Sequence, residues 1–309
     1  MKNIQTTRVI PRELIKHLEW NPKQTTMPEK IPPKPLSQSS YKIEDLITKG
    51  KEFESEAKNQ AGLLIGIPTA LREALQYITP NGVVASMPYL IAGKAKADKS
   101  NYLWQKWFTT LSEENVGMDQ KGAFTKKGKP VVVVVHSGGI LIPDRIEKEY
   151  DRGLSAQNTA KYTIKEFDDL LSGKLPSGET IEIYTVDQVK RKEIPNPFGR
   201  YGVALDFEIA KSVKYDHNYK KGEFVGNPLV LARTGTPEYL EDYFEKAQEH
   251  SQHFVRNWHR FHQIDYEQPQ GRVLFVDGAS GGLGGDLNLY ISGRFVGVAP
   301  EAQGAKNRR

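Results

Sequence analysis

A histidine and an aspartate each stand directly at the end of a short apolar run in this 309-residue chain: His136 after Val131–Val135, and Asp277 after Val273–Val276. In an open α/β sheet, ligands bind beyond the carboxyl ends of the strands. Two parallel neighbouring strands would therefore bring these side chains to one crevice as an acid–base pair. The plainer alternative is that both cap strands and hydrogen-bond loop amides. Glycine follows each within two positions. The first run is His136-Ser137-Gly138-Gly139; the second is Asp277-Gly278-Ala279-Ser280-Gly281-Gly282, opening a stretch with five glycines in eight residues. Glycine tolerates positive φ and lets backbone come close to a ligand or another chain, at an entropic cost. Ser137, Gly138, Gly139, Gly278, Gly281 and Gly282 are therefore candidate ligand-binding positions. His136, Asp277 and Ser280 are the candidate catalytic groups.

No complete catalytic signature accompanies them. Gly278–Gly282 satisfies G-x-S-x-G, but a nucleophile elbow needs a helix straight after its serine and a histidine further on, and the last histidine is His262. There is no G-x-G-x-x-G and no Gly-Lys-Ser/Thr, so neither a dinucleotide fingerprint nor a P-loop is present. What remains of phosphate chemistry is an anion site on His136 and the glycine amides. Four of the seven histidines fall between 250 and 262. At about 100° per residue one helix cannot gather all four. His250 and His253, at i and i+3, are the candidate metal pair, without the HExxH pattern; the alternative is that they are edge and surface residues of an amphipathic helix. The absence of cysteine excludes disulfides, thiolate nucleophiles and Cys-based metal sites. No cofactor is expected.

The elements that must position these residues point to an α+β (or α/β) fold. Val131–Val135 reads as a central strand buried on both faces, of the parallel type. Tyr201–Ile209 alternates strictly and reads as a strand with one polar face. Ile181–Val186 and Leu229–Ala232 read as further strands, and Leu287–Ile291 with Phe295–Val298 as a hairpin. Helices are expected over Glu44–Ala61, Pro68–Ile78, Asn101–Leu111, Pro143–Gly153 and Thr163–Leu171. Thr236-Pro237-Glu238 should open a long amphipathic helix over about 237–262. The expectation is a mixed β-sheet covered by these helices.

The flanks differ from the body. Residues 1–40 form an extended arm, with six prolines before residue 36; the body spans 41–300, and 301–309 is a short tail. Residues 1–50 carry nine Lys/Arg against five Asp/Glu, a net +4, and the tail adds +2, although the whole chain is only +5. Basic ends on a near-neutral body suit nucleic acid or an acidic protein surface, or else serve solubility alone. No run approaches the ~18–20 apolar residues of a membrane span, and the N-terminus has no signal-type apolar core. The expected location is cytoplasmic or within an assembled particle. Together these features suggest a structural protein that forms a homo-oligomer through its arm and Gly-rich loops, as viral or phage shell proteins do. The alternatives are an enzyme with its site at His136 and Asp277, or a soluble anion-binding protein.

Overall fold

The five valines of Val131–Val135 form the middle of a strand, as their β-branching favours, and every one is fully buried. They lie in a computed structural model that describes residues 42–300 other than 80, 216, 252–254, 279 and 286–288, without the side chains of 250 and 251. The chain divides into Met1–Pro35 and Leu36–Arg309, and every described residue belongs to the second unit. The arm and the tail lie outside the described residues.

The strands are β1 (Lys51–Ser55), β2 (Val83–Val84), β3 (Phe108–Asp119), β4 (Lys129–His136), β5 (Ala160–Lys161), β6 (Ile183–Thr185), β7 (Tyr201–Asp206), β8 (Asn257–His259), β9 (Gln270–Val276), β10 (Leu283–Gly285) and β11 (Gly293–Val298). The helices are α1 (Ile43–Lys49), α2 (Gly66–Tyr77), α3 (Met87–Lys96), α4 (Tyr102–Gln105), α5 (Pro143–Arg152), α6 (Ile164–Leu171), α7 (Val186–Lys190), α8 (Phe207–Ser212), α9 (Lys221–Val225), α10 (Pro228–Thr234) and α11 (Leu240–Ser251). An eight-stranded sheet runs β6-β7-β4-β3-β9-β10-β8, with β5 also on β9. Its β6–β7 and β10–β8 pairs are parallel and the rest antiparallel, so the sheet is mixed and the fold α+β. A smaller antiparallel sheet runs β1-β11-β2. Among the described residues no helix is long and apolar enough to cross a membrane.

Both faces of β4 are covered, which is why its apolar run is unbroken. Val132 and Val134 face one core, with Leu90 of α3, Val230 of α10 and Phe244 of α11. Val131, Val133 and Val135 face the other, with Leu71 of α2, Ile146 of α5 and Phe167 of α6. Each buried valine stabilises the fold by about 1.5–3 kcal/mol relative to an exposed one. Its two neighbours, β3 and β7, are however antiparallel, not parallel as the unbroken run suggested.

Other expectations are corrected. The helix over Asn101–Leu111 stops after α4, and Phe108 begins β3, the strand between β4 and β9. Leu229–Ala232 is helical. Asn227 accepts hydrogen bonds from Leu229 N (2.9 Å) and Val230 N (3.1 Å), Pro228 opens α10, and Gly235 closes it at φ 65°. The long helix over 237–262 ends at Ser251, because Asn257–His259 pairs instead with β10 as an edge strand. The helix over Glu44–Ala61 stops at Gly50, where a Cβ would meet Tyr102 Oη at 2.0 Å, and β1 follows. Asp206 ends β7 and caps α8, so the alternating strand does not reach Ile209. The strand read over Ile181–Val186 contracts to β6, with α7 beginning at Val186. The expected hairpin is also absent among the described residues: β11 pairs with β1 and β2, while Leu287 and Asn288 lie outside them.

Candidate functional site

β4 ends on His136, and the chain then turns sharply: Ser137 has φ 60° and Gly138 φ 97°. A serine held in the left-handed region costs backbone energy, and such positions cluster at binding sites. The turn is wrapped round a buried carboxylate. Glu113 of β3 accepts hydrogen bonds from Ile140 N and Leu141 N, both at 2.8 Å, and from Asn115 Nδ2 at 3.1 Å. Gly139 must lack a side chain here, since a Cβ would lie 2.3 Å from Glu113 Oε1. Burial raises the pKa of Glu113 despite the two amides, which pull it back. Leu71, Thr110, Ser112, Glu113, Gly138 and Gly139 line a cleft of about 240 Å³ including its open mouth.

Outside the cleft the edge is aromatic and half-buried. Arg200 donates from Nε to Ser137 O (2.9 Å) and is ion-paired with Glu179. Ser137 Oγ donates to Phe198 O at 3.4 Å. The Phe198 ring lies 4.7 Å from that of Tyr89 and 6.5 Å from that of Tyr239, itself at φ 67°. Ser137, Gly138 and Gly139 are thus gathered at one surface, half-buried beside Phe198, Arg200 and Tyr239.

His136 sits beneath that surface, fully buried. Its Nε2 lies 3.1 Å from Ala232 O, which can only accept, so Nε2 carries the proton. Nδ1 then accepts from Ser112 Oγ at 3.0 Å, and that oxygen accepts from Met87 N at 3.0 Å. Burial pushes the His136 pKa down to about 3, with the Ala232 bond pulling weakly upward. A serine hydroxyl on an imidazole is the start of a nucleophilic pair. Here the base is far too weak near pH 7, and a carbonyl rather than a carboxylate stands behind it.

Asp277 belongs to a different network. β4 and β9 do run parallel to each other, but β3 lies between them, and no hydrogen bond or ion pair joins His136 to Asp277. The Asp277 carboxylate accepts from Gly278 N (2.8 Å) and from Ser280 Oγ, and its amide donates to Gly282 O (2.8 Å). Beneath it Lys94, wholly buried in α3, donates to the carbonyls of Asp277 and Gly278 and lies 4.5 Å from the Trp104 ring. Burial lowers the Lys94 pKa to about 7, against an upward pull from Asp277.

The glycines of this loop are explained by the chain's own packing. A Cβ on Gly278 would meet Lys106 backbone at 2.7 Å, on Gly281 Ala247 Cβ at 2.3 Å, and on Gly282 Trp258 at 2.1 Å. All three are buried, so the close approach their freedom allows is to other segments of the same molecule. Of the metal candidates, His253 and the side chain of His250 lie outside the described residues. No group of three or more His, Cys, Asp or Glu among the described residues is placed to hold a metal ion.

Sequence reasoning passed over the buried charges. Glu114 of β3 accepts from Arg233 Nε (2.9 Å) and Nη2 (2.8 Å), and Arg233 Nη1 donates to Asn257 Oδ1 (2.6 Å) and Trp258 O (2.7 Å). Arg272 approaches the same carboxylate at 3.8 Å and donates to Gly285 O at 2.7 Å. All three ions are essentially inaccessible to solvent. The only local signal is a charge inside an otherwise apolar run, Arg233 after Leu229–Ala232 and Lys94 after Leu90–Ala92.

No protein-family model matches the chain, and no curated protein does. Among solved structures, one described as showing how the C-type lectin fold accommodates massive sequence variation in Nanoarchaeota aligns with a TM-score of 0.58 and 24% identity. The alignment covers 81% of this chain and 98% of that one. At that identity the likeness shows the fold alone: the architecture described here is that of the C-type lectin fold.

Proposed function

We propose that the protein is a binding module that takes its ligand or partner at the C-terminal end of β4, where Ser137, Phe198, Arg200 and Tyr239 meet, and performs no chemistry there. One observation carries this reading. The groups able to do acid–base or nucleophilic work near the strand ends, His136, Ser112, Asp277, Ser280 and Lys94, are each engaged in internal hydrogen bonds. The half-buried residues at the C-terminal end of β4 are instead aromatic, strained or charged, a composition suited to recognition. The neighbouring structure's fold is described as accommodating massive sequence variation. By analogy at the level of fold, a surface edge here could change while the buried network beneath it stays constant. Ligand-detected NMR with a library of small polar fragments tests the reading. Fragments that bind the native protein should be released by the combined Phe198→Ala and Tyr239→Ala change, with the melting transition retained. Hits that survive it would move the site elsewhere.

A second reading, assembly of identical copies, is favoured by the six prolines and basic charge of the first 40 residues. Light scattering after size exclusion, at low and high salt, compares the full chain with one lacking residues 1–40. A salt-sensitive particle that collapses to a monomer on truncation supports assembly; an unchanged mass removes it.

A further inference from the structure

The β3–β4 hairpin carries a feature that neither reading uses. Asp119, the last residue of β3, is buried, and its carboxylate accepts four consecutive backbone amides. Gly122 N (2.7 Å) and Ala123 N (3.0 Å) reach Oδ1, and Phe124 N (2.7 Å) and Thr125 N (3.0 Å) reach Oδ2. Such a ring of amides is an anion nest, here filled by the chain's own carboxylate, which is held below the usual range by those bonds although burial opposes them. The far side of the turn is tied by Gly128 N to Asp119 O (2.7 Å) and Lys129 N to Lys126 O (2.9 Å). Gly122 and Gly128, both at φ 75°, allow the tight path.

On this frame stand Lys121, Lys126, Lys127 and Lys129, all exposed. No hydrogen bond or ion pair engages any of the four side chains among the described residues. The sequence from 120 to 143 contains no acidic residue to offset them. Beside the hairpin, Asp169 of α6 is paired with Lys165 and also feels Lys174 and Lys121, so one carboxylate faces three lysines there. Four like charges within nine residues of an exposed loop repel one another. The buried Asp119 offsets that repulsion and fixes the backbone on which they sit.

We infer that this hairpin is a docking site for the phosphate backbone of nucleic acid, read without regard to base sequence. The residue types decide the partner. Interfaces with proteins favour arginine and aromatic anchors around an apolar centre and are depleted in lysine. This tip offers lysines only, and its one aromatic residue, Phe124, packs inward on the second core. Lysine is a point-charge ligand for phosphate, and such contacts position a duplex without reading it. Because Asp119 already holds the turn, little backbone order would have to be gained on binding.

The test uses the full chain and a short fluorescent duplex DNA, with dissociation constants from anisotropy over a salt series. Replacing Lys121, Lys126, Lys127 and Lys129 by Gln should lower the slope of log affinity against log salt by about 3–4, roughly 0.9 for each phosphate no longer neutralised. Two unrelated duplex sequences should bind alike. An unchanged slope would assign DNA to the basic ends of the chain and overturn the proposal. So would a native protein that ignores DNA but binds polyglutamate or anionic vesicles through these lysines. Asp119→Asn supplies a second arm. It raises the net charge, so charge alone predicts tighter binding; loss of the nest predicts weaker binding. Weaker binding supports the proposal, and equal or tighter binding refutes the preordered tip.

Discussion

β3 and β4 lie side by side, in register from Ser112↔His136 to Asp119↔Lys129, and nearly all of both is buried. One is built from five valines. The other carries Thr109, Thr110, Ser112, Glu113, Glu114 and Asn115, each at most 3% exposed. β4 gains stability from apolar area removed from water, and any well-packed neighbour would serve. β3 depends on named partners: Arg233 for Glu114, two loop amides for Glu113, Tyr162 Oη for Asn115, His136 for Ser112. A satisfied buried hydrogen bond adds only about 0.5–1.5 kcal/mol net, but an orphaned group carries its whole desolvation cost. β4 should therefore be tolerant and β3 brittle.

The largest break in that comparison is at Glu114. Its removal by Glu114→Ala leaves Arg233 and Arg272 in the core without their carboxylate, and breaking a buried ion pair costs about 3–5 kcal/mol. Val134→Ala, at the register partner on the same face, should cost about 1.5–3 kcal/mol. Urea titration of both variants gives the order. A larger loss at Val134 would show that the polar strand is not the brittle one. Replacing Glu114, Arg233 and Arg272 together by methionine should recover most of the loss, since the penalty arises from unpaired charge.

Acid gives a smaller and graded effect. Burial lowers His136 to about 3, and burial with Arg233 nearby lowers His259 to about 4. Both fold neutral, so the unfolded chain takes up protons first as pH falls below about 6.5. Stability should then decline by up to about 1.4 kcal/mol per pH unit for each histidine, until about pH 4 for His259 and about 3 for His136. Glu113 works the other way. Its raised pKa keeps the proton longer in the folded state, so its contribution falls as pH rises above its ordinary 4.5. Urea unfolding at intervals from about pH 7 to 4 measures the slope, and His136→Gln should remove up to one proton's worth of it. A slope identical to the native one would mean that His136 is charged in the fold.

The sequence displays β4 and hides β3 for the same physical reason. Val131–Val135 announces its burial because hydrophobicity is written in residue type. Glu113, Glu114 and Asn115 announce exposure, since what buries them is Arg233, 119 residues away, and a loop beyond the next strand. The mixed sheet, the helices over Pro68–Ile78, Pro143–Gly153 and Thr163–Leu171, and the grouping of Ser137 with Gly138 and Gly139 could be read locally, from periodicity, caps and glycine. The switch of Leu229–Ala232 from strand to helix could also have been found, because Asn227-Pro228 and Gly235 bracket it. The end of the long helix at Ser251 and the use of Asn257–His259 as an edge strand depend on β10, and no local pattern contains that.

The finest test exchanges one hydroxyl for one methyl in opposite directions. Val133→Thr keeps the volume but places a hydroxyl in an apolar core, and should cost about 1–3 kcal/mol. Thr110→Val removes the Oγ1 that accepts Ser112 N at 3.1 Å, at the irregular stretch where β3 shifts register against β9. That takes an acceptor away from a buried amide, again a loss of up to about 1–3 kcal/mol although the new side chain is more hydrophobic. Thr110→Ser retains the acceptor and should restore most of the difference. Thermal and urea unfolding of the three variants decide it. If Thr110→Val proves neutral while Val133→Thr destabilises, the two strands obey one rule, apolar burial, and the partners of β3 are incidental. If both destabilise and serine rescues, the buried polar strand is held by its hydrogen bonds.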